Sequence, residues 1–435
     1  MSRSPHRGRS GLAFRRRAVA ALFLARQHLA RPRRRRLTAS SLAAFVEDTG
    51  GLQVDSINVV ERGHLLTLWS RFGPYDRRVV ERAAYRRRVL FEYWAHAACL
   101  VPASHYPAWR RAMLDYSRGA RGWGSWLQKN RRVLGAVEEA IATSGPLGSG
   151  DFEHRRRPGS AGGWWNWKPA AHALDYLWMS GRTLVHSREH FRKRFDLAER
   201  VMPRAAALEP LTREAFRRWH LRLSLHALGA AREADLRMYL TYPRMAAVER
   251  RLTLRAALDA GEVVEVDVED EAGRWLALAE DVPALSAAGR RRRPAVGTTL
   301  LSPFDSFLWH RDRVRRLFGY DYKLEVYTPG RHRSHGYYSL PILHDGQLVG
   351  RLDPKVHRAE GRLEVKAVHF EPWFARGGAP PAVSWGAVDR EAALAGTGEA
   401  LRSLASFVGA VDVTVGRVTP PALGPALRRA VRDAL

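Results

Sequence analysis

The sequence predicts an α+β protein: a larger helical part in which short strand pairs recur, then a small antiparallel β-domain. Three observations carry this. A pattern of two or three helices followed by a strand pair occurs three times before residue 290. After the basic block at 290–294 the texture changes to alternating apolar and polar residues broken by glycine turns. A hydrophobic content of 46% over 435 residues is ample for several cores, roughly three at ~150 residues per domain.

Taken in order, residues 1–17 read as a disordered basic arm. Arg15, Arg16 and Arg17 followed by the apolar run 18–25 imitate a twin-arginine export signal. Arg26 and the basic block 31–36 follow, where a signal peptide needs a neutral cleavage region. An amphipathic first helix is therefore expected at 18–29. No apolar stretch approaches the roughly 18 residues of a membrane span, so a soluble, cytoplasmic, nucleoid-associated protein without membrane contact is expected.

The first copy of the pattern continues with a helix at 40–47, a strand at 53–55 and a helix at 59–70, and strands at 89–94 and 98–101 complete it. The second has helices at 126–142 and 169–179, a strand at 183–186 and a basic stretch at 188–194 as its wing. The third is the clearest, with helices at 211–228, 231–240 and 244–260 and strands at 262–268 and 275–279. Three helices closed by a hairpin is the winged helix-turn-helix unit, which sets one helix at a DNA groove and the wing on the backbone. Generic helical domains with hairpins are the alternative for any single copy. The expected divisions are an arm at 1–17, winged-helix units at 18–118, 119–203 and 204–285, a basic linker at 286–297 and a β-domain at 298–435. In the last, strands are expected at 324–327, 337–343, 348–352 and 363–370, with a closing helix at 391–407.

The net charge of +28 points to a polyanion partner. Nearly all the excess is arginine, as an arginine-biased genome would give. The arginines cluster, however: twelve lie in the first 36 residues, and no acidic residue precedes Glu47. The single cysteine, Cys99, excludes an internal disulfide and a cysteine-based metal site.

The residues most suggestive of chemistry are Gln53 and Asp55. Two apart on a strand, they point to the same face, where an amide and a carboxylate can grip one water. That is a tool for glycosidic hydrolysis. The plainer alternative is that Asp55 caps the following helix and Gln53 is solvated. Arg62 and His64 lie beyond, as surface or core residues or as DNA contacts. Three tryptophans fall in four residues, at Trp164, Trp165 and Trp167. They can stack bases, with Lys168 on a phosphate, or pin a loop into the core. Residues 328–336 read as the tip of a basic hairpin between Tyr327 and Tyr337. Arg331, His332 and Arg333 there form either a solvated turn or a probe for a groove. His186 with His190, and His332 with His335, lack a carboxylate at metal-ligand spacing, so no metal is expected. No phosphate-binding glycine loop and no Schiff-base lysine site is present, so no cofactor is expected.

Four segments together are specific: GLQVDSINVVERGHLLTLWSR at 51–71, FEYWAH at 91–96, GWWNWKPA at 163–170 and LLSPFD at 300–305. The chain resembles the AlkZ/YcaQ winged-helix DNA glycosylases over almost its whole length beyond the arm. The resemblance implies three tandem winged-helix units and a C-terminal β-domain around a basic concave channel. It implies excision of alkylated purines and unhooking of interstrand crosslinks. The family's catalytic motif is glutamine, a hydrophobic residue, then aspartate or glutamine. It falls here on Gln53, Val54 and Asp55, the aspartate version of the YcaQ-like branch, which has the broader substrate tolerance. The long arginine arm departs from the family pattern.

The chemistry is consistent with this. An N7-alkylated guanine is cationic and already a good leaving group, so no strong general acid is needed, unlike in two-carboxylate glycosidases. The expected partner is double-stranded DNA carrying alkylated or crosslinked purines, and the expected state a monomer. The competing class is a non-enzymatic winged-helix DNA binder such as a regulator, because fold alone does not decide function.

Overall fold

The computed structural model describes residues 11–33, 35–119, 123–153, 167–290, 297–383 and 385–434. The chain forms two compact units, one of Met1–Arg77 with His220–Leu435 and the other of Arg78–Trp219.

In the first unit, part of the arm expected to be disordered is structured: Ala13–Phe14 pairs in parallel with the strand Val263–Val268. The helix Arg16–Arg26 buries every residue from Ala18 to Leu24. It is therefore a core helix and not an amphipathic one, since seven consecutive buried residues need cover on all sides. Phe23 stacks on Phe307 at 5.1 Å, and Arg16 at the helix start pairs with Glu271 at 3.3 Å.

The third recurrence of the sequence pattern is clear. Helix Arg213–Leu228, strand Ala230–Ala231, and helices Glu233–Tyr239 and Ala247–Asp259 lead into strands Val263–Val268 and Trp275–Leu278. The short strand pairs with the last one, Ala230 opposite Ala277. The hairpin sets Val263 opposite Leu278. Val266 and Val268 are buried on one face and Val263 on the other.

The C-terminal sheet runs in the order Thr298–Leu300, Leu340–His344, Gln347–His357, Arg362–Phe370, Asp412–Thr419. Asp345 and Gly346, both at positive φ, make the tight turn between the second and third strands. The sheet is antiparallel until its last pair, which is parallel, with Arg362 opposite Asp412. That departs from the expected all-antiparallel domain. Parallel neighbours need a crossover, and the helix Arg390–Val408 between them supplies it. The strand expected at 324–327 does not form.

The second unit holds two hairpins. In one, Leu90–Trp94 pairs with Ala98–Pro102. In the other, Thr183–Glu189 pairs with Arg192–Leu197, turning on His190 and Phe191 at positive φ. His186 and His190 thus sit on a hairpin and not on one face of a helix. The helix expected at 126–142 is broken at Asn130, whose side-chain amide donates to the Trp126 carbonyl at 2.9 Å. The unit's core is aromatic, with Tyr93, Trp109 and Trp178 buried. Glu92 is buried among them. Burial would raise its pKa, but the Arg188 guanidinium, donating at 2.7 and 2.6 Å, outweighs this and lowers it. Among the described residues no helix is long and apolar enough to cross a membrane.

Candidate active site

The site is built from the end of the helix Ala39–Thr49. Gly50 closes that helix at φ 73°, the left-handed conformation that glycine adopts without cost. Leu223 and Leu240 lie 3.4 and 3.5 Å from where a Cβ at Gly50 would be. The chain then enters the strand Leu52–Gln53. Leu52 and Val54 are buried, whereas Gln53 and Asp55 are half-buried.

The strand is shorter than expected and ends at Gln53. The reason is local. The Asp55 carboxylate turns back and accepts the Ile57 amide through Oδ1 at 2.8 Å, an Asx turn that ends extended structure. Asp55 does not cap the next helix, which spans Gly63–Phe72 with Arg62 at its N-cap. The later start of that helix has a tertiary cause. The Val59 carbonyl accepts the Val356 amide at 3.1 Å. Arg358 donates to the Asn58 side-chain oxygen at 2.7 Å and the Val60 carbonyl at 3.0 Å. These bonds to the β-domain hold the stretch before the helix. At Gly63 a Cβ would lie 2.9 Å from Phe304, so the helix start packs directly on the LLSPFD segment.

That segment reaches the site. The Trp309 indole donates to Gln53 Oε1 at 3.0 Å and, at 3.3 Å, to the Phe304 carbonyl. Its ring lies 5.1 Å from Tyr239. Tyr239 donates to the Thr49 carbonyl at 2.9 Å and accepts the Gln27 amide at 3.0 Å. Ser306 donates to Gln27 Oε1 at 2.6 Å. Behind this chain Asp305 caps the turn that leads to Trp309 and makes a two-pronged ion pair with Arg71, both side chains fully buried. Hydrogen bonds and a ring contact thus join helix, turn and strand around Gln53.

Glu61 is buried, accepts the Arg62 amide at 2.9 Å and pairs with Arg77 at 2.8 Å. Burial raises the Tyr338 phenol far above its ordinary pKa, and the charges of Asp55 and Glu61 add to that. Tyr338 therefore stays neutral beside them.

The remaining expected residues are dispersed. Arg62 is half-buried and His64 is buried. Trp164 and Trp165 lie outside the described residues. Lys168 falls in the first turn of the helix Trp167–Met179. Arg331 and His332 are exposed in a short turn, Gly330–His332, but not at the tip of a hairpin. Tyr327 is 83% exposed, and Tyr337 packs against Arg333 at 4.8 Å, so the tyrosines do not brace each other. Glu325 holds the loop instead, accepting the Ser334 and His335 amides at 2.8 and 2.7 Å. Burial works to raise its pKa, and these amides lower it. Arg333, His335, Lys366 and Arg417 line a basic cleft of about 440 Å³, with Asp353 as its acidic member.

Among the described residues, His226, Glu280 and Asp281 bring possible ligand atoms within 4.8 Å of one another. The Arg26 guanidinium pairs with Asp281 there, so an arginine already supplies the positive charge.

Sequence reading missed Trp309, Arg358 and Tyr239. Trp309 follows the LLSPFD segment by four residues and was within reach of a longer motif. Arg358 carries no local signal.

The family described as DNA glycosylase AlkZ-like matches residues 46–405. The solved structure of Streptomyces sahachiroi DNA glycosylase AlkZ is similar at a TM-score of 0.60 and 20% identity, over 94% of this chain and 100% of that one. At that identity the likeness concerns the fold.

Proposed function

Because the chain belongs to the AlkZ-like DNA glycosylase family, we propose that it hydrolyses the N-glycosidic bond of N7-alkylated purines in double-stranded DNA and unhooks interstrand crosslinks. What supports this reading is that Gln53 and Asp55 are both half-buried in one short segment, each with one oxygen already held. Family membership weighs against the regulator alternative.

In the proposed reaction the bond between C1′ and the purine nitrogen breaks, and its electron pair leaves with the base. The cationic lesion needs no strong acid to depart. The Asp55 carboxylate faces the developing oxocarbenium ion and stabilises it. A water held between Asp55 and Gln53 adds its oxygen to C1′ and gives its proton to Asp55. The Asx turn keeps Oδ1 engaged with backbone, so Oδ2 is the oxygen assigned to the water.

We assign DNA contact to Arg62, His64, Trp164, Trp165, Lys168, Arg331, His332 and Arg333. The exposure of Arg331 and His332 supports their part in it. The three winged-helix units, the basic channel, the monomeric state and the cytoplasmic, nucleoid-associated location belong to the same proposal. So does a hydrolytic, strand-preserving reaction, since only six lysines are present and none lies in the 53–55 segment.

The test is incubation with duplex bearing one N7-methylguanine, followed by alkali. Strand scission only after alkali is expected. No scission sinks the glycosylase reading for this lesion. Borohydride trapping of a covalent protein–DNA adduct would instead show an amine nucleophile.

A further inference from the structure

Gln53 is an amide, and an amide can face a water with either end. Its oxygen would accept a hydrogen bond from the water, and its nitrogen would donate one to the water's lone pair. The two orientations give different chemistry, and ordinary electron density does not tell them apart. Here a neighbour decides. An indole N–H donates and never accepts. The Trp309 nitrogen lies 3.0 Å from the terminal amide of Gln53, so the atom facing it must be the oxygen. The amino group is then turned the other way.

We propose that Trp309 is a positioning residue that locks the polarity of Gln53, so that Gln53 offers the site only N–H donors and Asp55 is the sole proton acceptor of the pair. This rests on the glycosylase reading for its consequence, but the lock itself is a property of the folded chain.

The surroundings suit a lock. Trp309 is 8% exposed. Its indole N–H is shared with the Phe304 carbonyl at 3.3 Å. Its ring rests on Tyr239, and Tyr239 also holds the Thr49 carbonyl, four residues before Gln53. One tyrosine therefore sets both the indole and the backbone that carries the amide. The Asp305 cap and its buried pair with Arg71 fix the turn from which Trp309 projects.

The chemical consequence is a division of labour. The water gives one hydrogen to Asp55 and takes one hydrogen bond from Gln53. Its second lone pair is left to attack C1′. A reversed amide would ask the water to donate both hydrogens, and Gln53 would then compete with Asp55 for the proton.

Two independent readouts test this. The chain has four glutamines, so selective [¹⁵N]glutamine labelling gives four side-chain amide pairs, and Gln53→Ala identifies one. Trp309→Phe should shift or broaden that pair, and no change would overturn the lock. In single-turnover excision, Gln53→Glu keeps the shape and still accepts from Trp309, but it cannot donate when ionised. It should be as slow as Gln53→Ala, about 10²-fold below wild type, with DNA affinity within threefold. Gln53→Glu within threefold of the wild-type rate would overturn the donor assignment. Trp309→Phe should cost about tenfold alone and under twofold in the Gln53→Ala background. Fully multiplicative effects would show that Trp309 does not act through Gln53. If wild-type protein excises nothing, the glycosylase reading falls and the amide resonances still decide the lock.

Discussion

Arg358 donates to the side-chain oxygen of Asn58 at 2.7 Å across a sequence separation of 300 residues. The same guanidinium reaches the Asn58 and Val60 carbonyls at 3.4 and 3.0 Å. An arginine fork suits this task because its donors are planar and rigidly spaced. The segment after Asp55 is therefore shaped by the β-domain and not by its own helix propensity.

Arg358→Ala should free the segment after Asp55. Because Arg358 is exposed, the melting temperature should barely move, while single-turnover excision falls by about tenfold, the scale of a lost positioning contact. An unchanged rate would show that the segment holds its shape without the fork.

Asp55→Asn should cut excision by about 10²–10⁴ while DNA affinity and folding stay near wild type. The asparagine keeps an oxygen for the Ile57 amide, so the Asx turn survives and only the charge is lost. Excision within threefold of wild type would reduce Asp55 to a turn former.

The Arg71–Asp305 pair is fully buried on both sides. Removing one partner strands the other charge, which typically costs about 3–5 kcal/mol. Asp305→Ala should lower the urea midpoint accordingly. Replacing both residues, as Arg71→Met with Asp305→Leu, should recover part of it. A single variant with an unchanged midpoint would refute the network's structural weight.

Burial pushes the His220 imidazole down to about 4. It is held neutral with its Nε2 3.3 Å from the Tyr242 carbonyl. Above the unfolded value of about 6.5 both states are neutral and pH has no leverage. As pH falls from there to about 4, the unfolded chain gains a proton that the native state refuses, so stability falls. The loss is about 3 kcal/mol at roughly 1.4 per pH unit. His220 lies one helical turn from Leu223, which packs on Gly50. Unfolding titrations of wild type and His220→Gln should diverge in this window. Parallel curves would show that other groups carry the acid sensitivity.

Binding to undamaged duplex should weaken steeply with salt, because a chain of net charge +28 displaces many counterions. A plot of log affinity against log salt should have a slope well beyond that of a single contact. A flat line would mean that the arginines reflect composition and not a DNA surface.

What the sequence determined by itself was local. Alternating valines marked the strand Val263–Val268, and apolar spacing marked the helices Arg213–Leu228 and Arg390–Val408, because burial of one face imposes a period that any window reveals. The pair Gln53 and Asp55 was singled out by residue type and spacing, but the strand ends at Gln53 and Asp55 turns back to the Ile57 amide. Tertiary structure alone decided what holds that pair. Trp309 lies 256 residues from Gln53, and no local pattern says which carbonyls a distant arginine such as Arg358 will occupy. It also decided that the first helix is buried all round, that the last strand of the β-domain runs parallel, and that the loop before Tyr338 is tied by Glu325 rather than by a hairpin. In these cases the deciding contacts lay outside any local pattern: a distant indole for Gln53, apolar cover for the first helix, a crossover helix for the last strand and a carboxylate for the loop. Local propensity carries no information about such contacts.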